Sequence, residues 1–267
     1  MNNTQFYNIE MCIIQCLYIE TKGMEILKKI ILVAFFLLAL TGCKSYLFNK
    51  GLEKMGVFDS KIHLTEIKNE AKEVIFFPMK HIANEEFYND TKYKIDSLKK
   101  LGYYFFYESI NVLIDDTITL RKFRKLKGMP ISKPSLGYMY LIDSVYKFKL
   151  KKKIIDQPSY IKLGVDSLCG KRVDLDLKDI TDAYESDYGE IKLESCDYKT
   201  PFYEKSTCND KKVDNKIINS LILTLRNKKI VNEVLQHKSK KIAIIYGAEH
   251  FVEIKAALLS NGFRLSN

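Results

Sequence analysis

One stretch constrains the fold more than any other: Lys240 and Lys241, the apolar run Ile242-Ala243-Ile244-Ile245-Tyr246, then Gly247-Ala248-Glu249-His250. A short apolar run flanked by charge and closed by glycine suits a strand buried on both faces of a parallel sheet. Gly247 gives the backbone freedom to turn at the strand's end. A helical pattern, Val252 to Asn261, follows His250. Ligands of open α/β sheets collect at the C-terminal ends of strands. His250 therefore stands where a catalytic or metal-binding histidine would stand. The bland alternative is a surface histidine near a helix start.

The amino terminus carries a second constraint. Lys28 and Lys29 precede the apolar run Ile30 to Leu40, which leads into Leu40-Thr41-Gly42-Cys43. A charged region, an apolar region and small residues make a secretory signal peptide, too short to span a bilayer comfortably. The Leu-Thr-Gly-Cys ending resembles the bacterial lipobox, which implies that Cys43 is lipidated, carries a palmitate-type chain and anchors the mature protein to a membrane of the cell envelope. Met24 gives this signal normal proportions, so residues 1–23 read as a misassigned upstream extension, 24–42 as the lipoprotein signal, 43–68 as anchor and tether, and 69–267 as one α/β domain. Outside the cytoplasm disulfides are allowed; Cys196 and Cys208 flank a polar segment with Pro201 and are candidates for a local bridge. The net charge of +10 comes mostly from scattered lysines. It reads as a solvated basic face, with no nucleic-acid partner expected.

Within the domain, Glu73 to Pro78 reads as a buried strand stopped by proline, with His81 three residues on. Asn84 is placed to cap a helix running to about Lys100, Gly102 to end it, and Tyr103 to Tyr107 to form a second strand ending in Glu108. Strand, helix, strand is the signature of a parallel sheet. Arg121, Lys122, Arg124, Lys125 and Lys127 give a basic helical face. Leu136 to Phe148 reads as a further helix, Val173 to Leu177 as a half-exposed strand, 183–212 as a loop or hairpin insert, and Val213 to Gln236 as a helix with an apolar stripe. The fold class expected is α/β, a mostly parallel sheet with helices on its faces. Two strands thus end in a turn with a histidine three residues on, and a third ends in Glu108. If the three are neighbours, His81, Glu108 and His250 make a common divalent-metal set, or Glu108 acts as a general base. His63 and His237 lack this context and read as surface residues.

The run Arg226-Asn227, about fifteen residues, then Ile-Ile-Tyr-Gly-Ala-Glu-His resembles the TraB/PrgY/GumN group, which includes the Tiki metalloproteases and is related to ChaN and erythromycin-esterase-like proteins. The resemblance covers about 73–265. It implies His81, Glu108 and His250 as ligands of a divalent metal (Mn, Co or Zn), Glu108 and Arg226 as catalytic residues, and Asp174 and Asp176 as pocket-ordering acids. The activity implied is a metal-dependent hydrolase or peptidase acting on a peptide or small molecule. The alternative is a non-catalytic lipoprotein of the same fold that binds haem or a small ligand, or a structural one. Pro78 departs from the family's first motif, which has glycine there, and Lys80 adds a positive charge beside the expected metal.

Overall fold

A computed structural model describes residues 44–266 apart from 111–112, 114, 132–136 and 209–212. The signal peptide and Cys43 lie outside the described residues. The described residues form two compact units, one within 44–55 with 148–151 and the other within 56–147 with 152–266. In the first, the helix α1 (44–54) stacks Phe48 on Phe148, ring centroids 4.2 Å apart, and Asn49 ties Lys149 and Lys151.

The second unit is an α/β domain. Its strands are β1 (Thr65–Lys68), β2 (Glu73–Met79), β3 (Ile82–Ala83), β4 (Tyr104–Tyr107), β5 (Ile155–Asp156), β6 (Gly170–Arg172), β7 (Lys241–Gly247) and β8 (Arg264–Leu265). Six of them make one sheet in the order β6-β4-β7-β2-β1-β8. The run β6, β4, β7, β2 is parallel; β1 pairs antiparallel with β2 and with β8. β3 and β5 form a separate antiparallel pair.

The helices of this unit are α2 (Glu85–Lys100), α3 (Thr117–Lys127), α4 (Tyr138–Tyr140), α5 (Leu177–Tyr188), α6 (Ser195–Lys199), α7 (Asn215–Asn219), α8 (Leu225–Gln236) and α9 (Phe251–Ser260). A π-helical segment, Leu141–Val145, continues α4, and another, Ser220–Thr224, joins α7 to α8.

Period-two alternation sends successive residues of the central strands to opposite faces. Ile75, Phe77, Phe105, Ala243 and Ile245 pack with Phe87, Tyr88 and Ile95 of α2. Val74, Phe76, Phe106, Ile242, Ile244 and Tyr246 pack with Ile230, Val231 and Val234 of α8 and Ile254 and Leu258 of α9. Each fully buried aliphatic or phenyl side chain here contributes roughly 1.5–3 kcal/mol. A third cluster joins α3, α5 and the second π-helical segment through Leu120, Phe123, Leu177, Ile180 and Leu221.

Several sequence expectations change. β2 does not stop at Pro78; it runs on to Met79, because the strand pairs through Pro78 with Tyr246 of β7. The alternating Val173 to Leu177 is not a strand: β6 ends at Arg172, and Asp176 caps α5 in a reciprocal box with Asp179. The span read as a tether holds α1 and β1. The basic face of α3 is not wholly solvated, since Arg124 is 1% exposed and donates to the carbonyls of Thr200, Pro201 and Asp197. The segment it grips is closed by a Cys196–Cys208 disulfide, Cα atoms 5.5 Å apart. Among the described residues no helix is long and apolar enough to cross a membrane.

Candidate functional site

Three adjacent parallel strands release their chain ends at one sheet edge. Glu108 follows β4 and continues its ladder, its N–H donating to Ile245 O at 3.1 Å. Val173, just past β6, donates to Tyr107 O at 3.2 Å, which sets Asp174 beside Glu108. β7 ends at Gly247, a 3₁₀ turn (Ala248–His250) follows, and α9 begins. α8 lies across this edge and supplies Arg226 and Asn227, both 4% exposed.

Arg226 joins the acids. Its Nε donates to Asp174 Oδ1 at 2.7 Å, its Nη2 to Asp174 Oδ2 at 2.9 Å and to Glu108 Oε1 at 2.6 Å, and its Nη1 to Ile222 O at 3.2 Å. The other Glu108 oxygen accepts the Gly247 N–H at 2.5 Å. Burial pushes the Glu108 carboxyl up, but the facing His250 ring, the Arg226 charge and the Gly247 N–H outweigh it and hold the group at about 2. Burial alone would lower the Arg226 guanidinium; the Asp174 bonds and the Glu108 charge raise it above its ordinary value. Both side chains are therefore ionised across the physiological range.

His250 is 3% exposed and sits edge-on to the Tyr246 ring, centroids 5.2 Å apart. Asn227 Nδ2 donates to Glu253 Oε2, and Thr224 Oγ1 donates to Glu253 Oε1 at 2.9 Å. This fixes the Asn227 amide, so its Oδ1 faces His250 Nδ1 at 2.6 Å and the ring nitrogen donates. The other nitrogen, Nε2, is left facing Glu108 Oε1 at 3.6 Å, beyond direct hydrogen-bond reach but close enough for one protic group to touch both. Tyr107 and Tyr160 pack together near the carboxylate, centroids 4.5 Å apart. Burial first and the Glu108 charge second raise the Tyr160 phenol, so it stays protonated.

His81 does not join this group. It is exposed, its ring stacks on Tyr138 with centroids 5.0 Å apart, and its carbonyl accepts the Gln157 N–H at 2.8 Å. A metal centre needs its donors to converge at about 2.0–2.2 Å on one point. The residues present do not fit a His81, Glu108 and His250 centre. Among the described residues, the set of three ligand-type side chains with donor atoms within 4.8 Å of one another is Cys196, Asp197 and Cys208, where both sulfurs are spent in the disulfide. Arg226 also sets a fixed cation 2.6 Å from Glu108 Oε1, where the ion would bind. Lys80 points elsewhere, to Gly56 O and to Asp59.

Asp174 holds Arg226, whereas Asp176 belongs to the α5 cap and to Arg172. His237 is half-buried between the strands and α8, stacked on Tyr104 at 4.8 Å rather than free at the surface. Glu253 is the site residue that the sequence pattern did not single out. Its signal is its place three residues after His250, in the first turn of α9. No family model, curated protein or solved structure matches this chain.

Proposed function

We propose that this chain is a lipid-anchored envelope protein of the TraB/PrgY/GumN type, a hydrolase of peptide-like bonds in which His250 moves the proton and the Glu108 carboxylate balances its charge. The observation that supports it is the convergence of Glu108, Asp174, Arg226, Asn227 and His250 at the C-terminal edge of three adjacent parallel strands. Glu108 is held ionised, so it balances charge; it neither donates a proton nor takes one up in the physiological range. A water or substrate hydroxyl placed against His250 Nε2 gives up its proton there, and the imidazolium that forms faces the Glu108 carboxylate. Asn227 keeps the ring in the tautomer that leaves Nε2 open. Arg226, with partners on Nε and both terminal nitrogens, fixes Glu108 and is not free to grip an intermediate.

The test is a screen of fluorogenic peptides and esters with the mature chain. Turnover lost in His250→Ala and Glu108→Gln and kept in His81→Ala supports the reading. Turnover that survives His250→Ala overturns it. Turnover that requires added Mn, Co or Zn and disappears in His81→Ala replaces it with a three-ligand metal centre. The paired Tyr107 and Tyr160 rings and the His81–Tyr138 stack favour a second reading, a binder of a planar ligand such as haem. In that case no peptide is cleaved, and a ligand titration survives Glu108→Gln.

A further inference from the structure

The opposite edge of the sheet has a different character. Because β6, β4, β7 and β2 are parallel, the turns that enter them lie side by side along one edge. Leu168 stands on the turn before β6 and is 90% exposed, held out by Asp166 Oδ1, which accepts the Leu168 and Cys169 N–H groups at 2.9 and 3.2 Å. Leu101, which caps α2 before β4, is 59% exposed. Lys99 and Lys100 precede it, Lys240 precedes β7 and Lys241 opens it; all four are exposed. Lys241 Nζ reaches Leu101 O at 3.4 Å, and Lys99 Nζ reaches Asp166 at 2.8 Å, so leucines and lysines form one continuous rim. Of the acids here, Asp166 is paired with Lys99, Glu73 takes the Tyr103 hydroxyl, and Glu70, on the turn that enters β2, is exposed. The edge that carries the candidate site instead gathers Glu108, Asp174 and the exposed Glu249.

Lysines at helix ends complement the helix dipole, which accounts for part of the basic rim. It does not account for two leucines held in solvent among them. Apolar side chains that enter the acyl boundary, ringed by ammonium groups at headgroup depth, suit an anionic bilayer. We propose that this edge docks on an anionic membrane surface through Leu101 and Leu168, with Lys99, Lys100, Lys240 and Lys241 against the headgroups. Docked so, the His250–Glu108 edge faces away from the bilayer. The proposal rests on the envelope reading only for the presence of a membrane. Acylation of Cys43 is read separately by mass spectrometry, so the two can fail independently.

The experiment is vesicle co-sedimentation of the mature chain, residues 43–267, carrying Cys43→Ser so that no acyl chain contributes. One vesicle set is phosphatidylcholine alone; the other holds one third phosphatidylglycerol. Expected is binding to the anionic vesicles only, weakened by salt, and reduced at least about tenfold by Lys240→Glu with Lys241→Glu. Leu168→Ser reduces binding while leaving its salt dependence intact. Lys228→Glu with Lys229→Glu, the same charge change on exposed positions near the start of α8, retains it. Thermal melts confirm that each variant is folded. Equal binding to both vesicle sets, no binding to either, or equal loss in the α8 control overturns the proposal.

Discussion

The two strand ends that carry Pro78-Met79-Lys80-His81 and Gly247-Ala248-Glu249-His250 share a spacing and lie on neighbouring strands in register, Pro78 against Tyr246 and Met79 against Gly247. They then diverge. After β7 the chain coils at once into a 3₁₀ turn and α9, which carries His250 inward onto Asn227 and Glu108. After β2 it stays extended, pairs as β3 with β5, and enters α2 only after the Asn84 cap. His81 is left outside. A shared spacing thus fixes how far a side chain lies from the strand end, while the next element decides which way it points. Gly247 itself has an ordinary φ of −52°. Its missing side chain matters for space, because a Cβ there would lie 3.2 Å from Glu108 Oε2 and 3.6 Å from His250 Cδ2.

The contrast between the two ends is tested most harshly at Arg226. Arg226→Ala leaves Asp174 and Glu108 buried without their cation and costs about 3–5 kcal/mol in urea denaturation. The next effect is on pH. The folded Glu108 group sits at about 2 against an unfolded value of 4.5. A depressed carboxyl contributes stability that is fully present above about 4.5 and is lost as pH falls from there towards 2. The size is about 3 kcal/mol by that linkage. Glu108→Gln removes this acid limb, and a chain whose melting profile between pH 5 and 2 is unchanged by the substitution would contradict the assignment. Smaller still is Gly247→Ala, which crowds Glu108 and costs about 1–3 kcal/mol, whereas Pro78→Ala at the partner position costs less than about 1 kcal/mol. His250→Ala belongs with Gly247→Ala, at about 1–3 kcal/mol, by stranding Asn227, while at the bottom of the scale His81→Ala shifts stability by no more than about 0.5 kcal/mol, the value for an exposed side chain. Equal effects at the two histidines would erase the distinction between the strand ends.

The sheet's centre was legible because β2, β4 and β7 are apolar runs bounded by charge, glycine and a cap, and α2 and α8 have clear apolar stripes. β1 and β8 were weaker signals: Thr65 to Lys68 is short and half polar, and its pairing with β2 is a tertiary choice. Val173 to Leu177 misled because alternation of valine, leucine and aspartate is also what a strand end followed by an Asp-capped helix looks like. Of the site, His250 and Glu108 were singled out by their position after strands, and Arg226 by the family resemblance. His81 was placed by its spacing after a strand and by the resemblance, neither of which carries information about burial. Glu253 stayed hidden because a glutamate in a helix's first turn is ordinary in sequence, and only the fold shows it fixing Asn227.

The π-helical segment Ser220–Thr224 separates two helices that would otherwise be one. A π-turn is the mark of one residue more than an α-helix needs, and each residue turns the helix by about 100°. α8 is phased by Arg226 and Asn227 against the strand ends; Leu221 is phased by its packing against α3 and α5. The extra residue lets both demands be met along a single rod. Deleting Ser220, which lies before the Ile222 carbonyl and the Thr224 hydroxyl used by the strand-end network, would leave α8 in place but rotate α7 by about a third of a turn, so the cost would fall on the packing of Ile217 against the α3–α5 cluster. The segment works as a phase adjuster between two cores, and lengthening by one residue is the simplest step that would have produced it.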